Sequence, residues 1–105
     1  MTIMRNEIFG PVIPGKEFSN FEEGLRSAND SRFGLAAYLF TNDMNRIMRA
    51  VRDLGCGELH INRGPCESSD GFHSGWKESG IGGDDGKYGL EYYLQKKTVY
   101  LRFEA

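Results

Sequence analysis

The stretch that most limits what this chain can fold into is Leu35-Ala-Ala-Tyr-Leu-Phe40. An unbroken apolar run between turn formers suits a strand buried on both faces, as in a parallel sheet. Thr41, Asn42 and Asp43 follow, and each is a good N-cap. Met44, Ile47, Val51 and Leu54 then recur at spacings of 3, 4 and 3, the apolar stripe of a helix. Gly55 is placed to close that helix as a left-handed C-cap, and Glu58-Leu-His-Ile-Asn62 alternates like a second strand. Strand, helix and strand in such close succession predict a right-handed crossover between parallel strands.

The flanks extend the pattern. Lys16-Glu17-Phe18 is a short extended piece, and Asn20-x-x-Glu23 reads as a capping box. Phe21, Leu25 and Ala28 share one face of the helix it opens, and Asn29-Asp30-Ser31 ends it. Near the end of the chain, Val99, Leu101 and Phe103 alternate with Thr98, Tyr100 and Arg102, which predicts a last strand with one buried face. Arg63 to Gly89 lacks periodicity, and ten of the 14 glycines fall between Gly55 and Gly89. A long loop of this kind is usually functional. A helical turn is expected over Gly89 to Gln95. The expected fold class is α/β, a parallel-sheet β-α-β-α-β portion plus a terminal strand.

Size and charge narrow the function. A chain of 105 residues is one domain or part of one. With 39% hydrophobic and 27% charged residues it has globular rather than disordered composition. The net charge of −2 leaves no basic excess for a phosphate backbone, so nucleic acid is not the expected partner. No apolar run approaches the ~20 residues that span a bilayer, so no membrane partner is expected. Met1-Thr-Ile-Met-Arg5 lacks a secretory apolar stretch, and two cysteines are too few for a disulfide scaffold. The expected location is the cytoplasm.

Several constellations have a chemical and a plain reading. Arg46, Arg49 and Arg52 form one side of a helix, read as a solvated face that suits the helix C-terminal dipole. Cys56, His60, Cys66 and His73 lack the tight paired spacing of structural zinc, and no metal is expected. Cys66 with His73 as base would need a depressed thiol pKa and an oriented imidazole. Ser79-Gly-Ile-Gly-Gly83 does not lead from a strand into a long helix, so its glycines are read as tight turns. Glu7-Ile-Phe-Gly-Pro-Val12 can set a carboxylate and an aromatic edge at one spot; the plain reading is a surface turn.

That last run resembles the E-x-F-G-P-V motif of NAD(P)-dependent aldehyde dehydrogenases. The likeness continues in order through Ala28-Asn-Asp30, Gly34-Leu-Ala-Ala37, Phe40-Thr41 and Gly57-Glu-Leu-His-Ile-Asn62. It goes on through Gly75-Trp-Lys-Glu-Ser-Gly-Ile-Gly82, Gly89-Leu-Glu-Tyr92 and Lys97-Thr-Val99. Ile61-Asn-Arg63 with Gly71-Phe-His-Ser-Gly-Trp76 is most similar to the lactaldehyde/glycolaldehyde dehydrogenase branch. The resemblance implies that residues 1–95 are the C-terminal part of the catalytic domain and residues 96–105 an oligomerisation strand. It implies that Glu7 contacts the nicotinamide ribose and Phe9 lies beside the nicotinamide ring. Phe72 is expected in the loop lining the substrate mouth, with Glu67 and His73 at the polar end of a small hydroxyaldehyde. The family nucleophile sits in a G-Q-x-C type motif upstream of E-x-F-G-P-V, and neither cysteine here matches it. No catalytic residue is therefore expected in this chain. Its expected role is a fragment of an oxidoreductase, inactive alone, that binds no NAD or NADP by itself; the alternative is a self-association or subunit-docking module. Homo-oligomers through the terminal strand are the expected partners, with aldehyde entering only in a complete enzyme. Gly15 departs from the family pattern after the proline.

Overall fold

In the computed structural model, which describes residues 2–104, the capping signals act first. Helix α1 spans Phe21–Asn29, and the Asn20 side chain accepts from the Glu23 backbone N–H at 2.9 Å. The Glu23 carboxylate reaches back to the Ser19 N–H at 2.9 Å, one residue before the expected target. Helix α2 spans Met44–Asp53 and is capped by Asp43, which takes the Asn45 and Arg46 amides. Its C-terminus differs from expectation. Gly55 is not left-handed; the cap residue Leu54 is extended. Asn29, at the end of α1, does the capping from across the layer: Nδ2 donates to the Asp53 carbonyl at 2.7 Å and Oδ1 accepts from the Gly55 N–H at 2.8 Å. The helix end needs partners for its orphan groups, and here a neighbouring helix supplies them.

The arginines of α2 form ion pairs. Arg46 meets Asp43, and Arg49 bridges Asp53 and Glu22, tying α2 to α1. Arg52, then Arg49, hold the Asp53 carboxyl down at about 2 through their hydrogen bonds.

Strand β1 is Phe33–Gly34, β2 is Ala36–Leu39 and β3 is Glu58–Ile61. β2 and β3 pair in parallel, Ala36 opposite Glu58 through Leu39 opposite Ile61, joined across α2. Asn62 extends the ladder with its side chain: Oδ1 accepts from the Thr41 N–H and Nδ2 donates to the Thr41 carbonyl, both at 2.8 Å. It does so at φ 52°, a left-handed conformation that asparagine tolerates.

The glycine-rich half contains structure that its lack of periodicity conceals. β4 is His73–Ser74, β5 is Trp76–Lys77, β6 is Gly83–Asp84, and α3 is Gly86–Tyr92. β1 pairs with β5 and β4 with β6, both antiparallel. The expected β-α-β-α-β parallel sheet is thus corrected to one parallel pair and two antiparallel two-residue ladders. The 16–18 piece forms no strand, so the first helix connects to no strand before it. α3 starts three residues before the expected turn and ends at Tyr92.

The expected strand over Thr98–Phe103 is likewise absent among the described residues. Val99, Leu101 and Phe103 are all exposed, as is Tyr100, so neither face is buried. Alternation selects a face, but a strand forms only where a neighbour takes its N–H and C=O groups. Burial is thin elsewhere too. Leu25 and Ala50 are the only hydrophobic residues buried outright among the described residues. Leu35–Phe40, expected to be covered on both faces, alternates between half-buried and exposed. On α2 the inward side chains are Ile47, Ala50 and Leu54, while Met44, Met48 and Val51 form an exposed stripe. The radius of gyration is 19.4 Å, against about 13 Å for a compact chain of this length.

Candidate functional site

The site is built on one face of the parallel pair. Residues in register on parallel strands point the same way, so Ala37, Leu39, Leu59 and Ile61 share one face. Ala36, Tyr38, Glu58 and His60 share the other. Tyr38 and His60 stack at 4.8 Å between ring centroids with an interplanar angle of 12°, and His60 is buried beneath that contact.

A glycine brings the third element in. A Cβ on Gly57 would lie 1.7 Å from the Ser74 carbonyl oxygen, so only glycine lets the 73–74 backbone approach this closely. A Cβ on Gly83 would lie 2.3 Å from the His73 carbonyl oxygen, which closes β4 onto β6 in the same way. His73 is thereby set beside Glu58, with Nδ1 and Oε1 2.9 Å apart. The other Glu58 oxygen lies 3.4 Å from Nε2 of His60. Glu67, from the preceding loop, completes the group: polar atoms of Glu58, Glu67 and His73 lie within 4.8 Å of one another.

The charges reinforce the contacts. The hydrogen bond from His73 holds the Glu58 carboxyl below its usual range, against the opposing effect of burial. The same bond, helped by the nearby negative charge of Glu67 and Asp85, raises His73 above the ordinary histidine value. The result is a half-buried imidazole, its protonated form favoured, flanked by carboxylates. Such an arrangement can donate to a hydroxyl or carbonyl oxygen and accept from a hydroxyl through the carboxylates.

Of the residues singled out in the sequence, Glu67 and His73 are brought together. Phe72 packs against Tyr88, ring centroids 4.7 Å apart and tilted 57°. Glu7 borders a shallow depression with Phe33, Leu35, Glu78 and Ser79. Phe9 is 93% exposed. An exposed carboxylate and an exposed ring can contribute edges to a dinucleotide site. The cysteines take no part. Cys66 is exposed, its carbonyl accepting from Arg63. Burial raises the Cys56 thiol, the opposite of what a nucleophile needs. Glu58 is the residue that the spacing argument passed over. Its signal was present: Glu58 and His60 stand two apart in an alternating strand, hence on one face.

A parallel β-α-β unit with a polar cluster at a glycine-lined loop is an α/β arrangement. A sequence model of the aldehyde dehydrogenase family matches residues 1–99, and the chain belongs to that family. It is 50% identical to 3,6-anhydro-alpha-L-galactose dehydrogenase of Vibrio sp. (strain EJY3), over 99% of this chain and 22% of that protein. It is 48% identical to lactaldehyde dehydrogenase of Escherichia coli (strain K12), over 97% of this chain and 21% of that protein. A solved structure of 3,6-anhydro-L-galactose dehydrogenase in complex with NAP superposes with a TM-score of 0.91 at 50% identity, covering 97% of this chain and 21% of that one. A lactaldehyde dehydrogenase structure superposes with a TM-score of 0.92 at 48% identity, covering 98% and 22%. The chain therefore spans about a fifth of the length of the relatives it matches. Among the described residues no helix is long and apolar enough to cross a membrane.

Proposed function

We propose that this chain is the C-terminal part of an aldehyde dehydrogenase that oxidises small hydroxyaldehydes, such as lactaldehyde, with NAD(P). The observation that carries this reading is the convergence of Glu67 and His73 on one face of the parallel pair. A small hydroxyaldehyde has one reactive carbonyl and a neighbouring hydroxyl. An imidazole N–H and a carboxylate side by side suit that hydroxyl, as donor and acceptor. Residues 1–95 are the catalytic-domain portion in this reading, and residues 96–105 the oligomerisation strand. Phe72 lines the substrate mouth, while Glu7 and Phe9 meet the nicotinamide ribose and ring. When bound, NAD(P) supplies the hydride acceptor. This chain's own residues orient the aldehyde and shield its polar end.

The chain alone is inactive in this reading, because neither Cys56 nor Cys66 lies in the family's nucleophile motif and no other residue here can form the thiohemiacetal. A second reading is supported by the extended, uncovered segment 95–104 and the bare Met44–Met48–Val51 stripe: self-association or docking onto complete subunits. The two readings are compatible.

Grafting this chain in place of the matching segment of the Escherichia coli lactaldehyde dehydrogenase tests the first. The graft should oxidise lactaldehyde. In it, His73→Ala should raise KM for lactaldehyde about tenfold or more, the worth of a charged hydrogen bond, while leaving unsubstituted propionaldehyde nearly unchanged. A folded graft in which His73→Ala affects both aldehydes equally would overturn the substrate assignment. Turnover by the isolated 105-residue chain would overturn the claim of inactivity.

A further inference from the structure

The geometry points to Glu58 as a positioning residue: one carboxylate binding two imidazoles, Nδ1 of His73 and Nε2 of His60, so that His73 is held with its Nε2 edge left for a ligand's polar group. This inference rests on the reading of His73 as the residue that meets substrate, and it adds a residue that does not itself touch the substrate.

Three observations carry it. Glu58 sits on β3 with its side chain largely sequestered, 16% exposed, yet it is a carboxylate; a buried carboxylate is costly unless fully partnered. Both of its oxygens are used, Oε1 toward His73 at 2.9 Å and Oε2 toward His60 at 3.4 Å. The two imidazoles are in turn braced, His60 by its stack on Tyr38 and His73 by the close approach of its strand to Gly57 and Gly83. A ring held by packing, with one nitrogen committed to a carboxylate, has its tautomer chosen for it. With Nδ1–H given to Glu58, the remaining polar atom of His73 is Nε2.

Other groups face His73 as well. Glu67 reaches it from the preceding loop, Asp84 is its register partner on β6, and Asp85 follows at the start of α3. His60 shares Glu58 with it. Glu67 and Asp85 act on His73 through their charge, whereas Glu58 adds the direct hydrogen bond. That difference separates a positioning role from a general negative environment.

The test is nitrogen-15 NMR titration of both imidazoles in the 105-residue chain and in Glu58→Gln and Glu67→Gln. In the unsubstituted chain, neutral His73 should be the Nδ1–H tautomer, the reverse of free histidine. Glu58→Gln should drop the His73 midpoint toward the ordinary value of about 6.5 and release the tautomer. Glu67→Gln should lower the midpoint less and leave the tautomer alone. Retained Gly57 and Ser74 amide shifts show that the strands still meet. An Nε2–H tautomer in the unsubstituted chain overturns the proposal even if Glu58→Gln does not fold. So does a Glu58→Gln midpoint that stays in place, or a Glu67→Gln effect that equals or exceeds it. None of these readouts involves an aldehyde. A wrong substrate assignment would surface only in the graft kinetics, and a wrong role for Glu58 only here.

Discussion

Between Phe21 and Asn62 the backbone is satisfied mostly by elements that adjoin in the chain: α1, β2, α2 and β3, with the parallel pair closed across one helix. Between Arg63 and Tyr92 the chain instead reaches back across long spans to polar groups of that first stretch. Ser79 Oγ accepts from the Gly34 N–H, Glu78 N–H donates to the Arg32 carbonyl, and Lys77 Nζ reaches the Asn29 and Ser31 carbonyls. The first region is a frame made by repetition of local rules. The second is a set of close approaches that glycine permits and single polar contacts hold. The candidate site lies on their seam, with Glu58 from the frame and Glu67 and His73 from the contacts. A frame of this kind tolerates surface change, while the close approaches do not.

The sharpest way to break that contrast is Gly57→Ala. The new methyl would collide with the Ser74 carbonyl, so β4 must retreat from β3. A loss of about 3 kcal/mol is expected in denaturant titration, the upper range for overpacking. Gly64→Ala, which meets nothing within 4 Å, should be close to neutral. Equal effects at the two positions would show that the 73–74 strand is not held by close packing.

Asn29→Ala comes next. It removes both polar groups that finish α2, at the Asp53 carbonyl and the Gly55 N–H, and should cost about 2 kcal/mol. Asn29→Asp keeps the acceptor and loses the donor, so it should fall between. A neutral Asn29→Ala would mean that α2 ends without help from α1.

The pH dependence follows from the pair on the seam. His73 is raised in the folded chain, so its contribution is complete below the unfolded value of about 6.5 and is lost as pH climbs through the higher folded value. Glu58 is lowered, so its contribution is present above the unfolded value of 4.5 and is lost as pH falls through the folded one. The stability gap between the unsubstituted chain and Glu58→Gln should therefore be widest between about pH 4.5 and 6.5. A gap that grows steadily above pH 8 would contradict the charge pairing. The smallest effect belongs to the frame: Glu22→Gln breaks an exposed ion pair with Arg49 and should cost no more than about 0.5 kcal/mol.

The caps and the crossover were legible because each depends on residues three or four apart. Asn20, Asp43 and the alternation of Glu58 to Ile61 all appear where their chemistry directs. Gly55 misled because its neighbourhood was read alone; the partner that ends α2 sits 26 residues earlier, in Asn29. The two-residue ladders at His73 and Trp76 were illegible because two residues cannot show a period. Of the candidate site, Glu67 and His73 were reached by family likeness, while Glu58 needed the register with β2 and the approach of β4.

By itself, then, the amino-acid order determined where α1 and α2 start, that β2 and β3 run the same way, and which family the chain belongs to. Those are consequences of local hydrogen-bonding geometry and of a pattern spread along the whole chain. Only the tertiary structure decided that one carboxylate would serve two histidines, and that the alternating residues 98–103 would lie bare among the described residues. Pairing and proximity depend on which distant backbone arrives alongside, and no periodicity within a segment encodes that arrival.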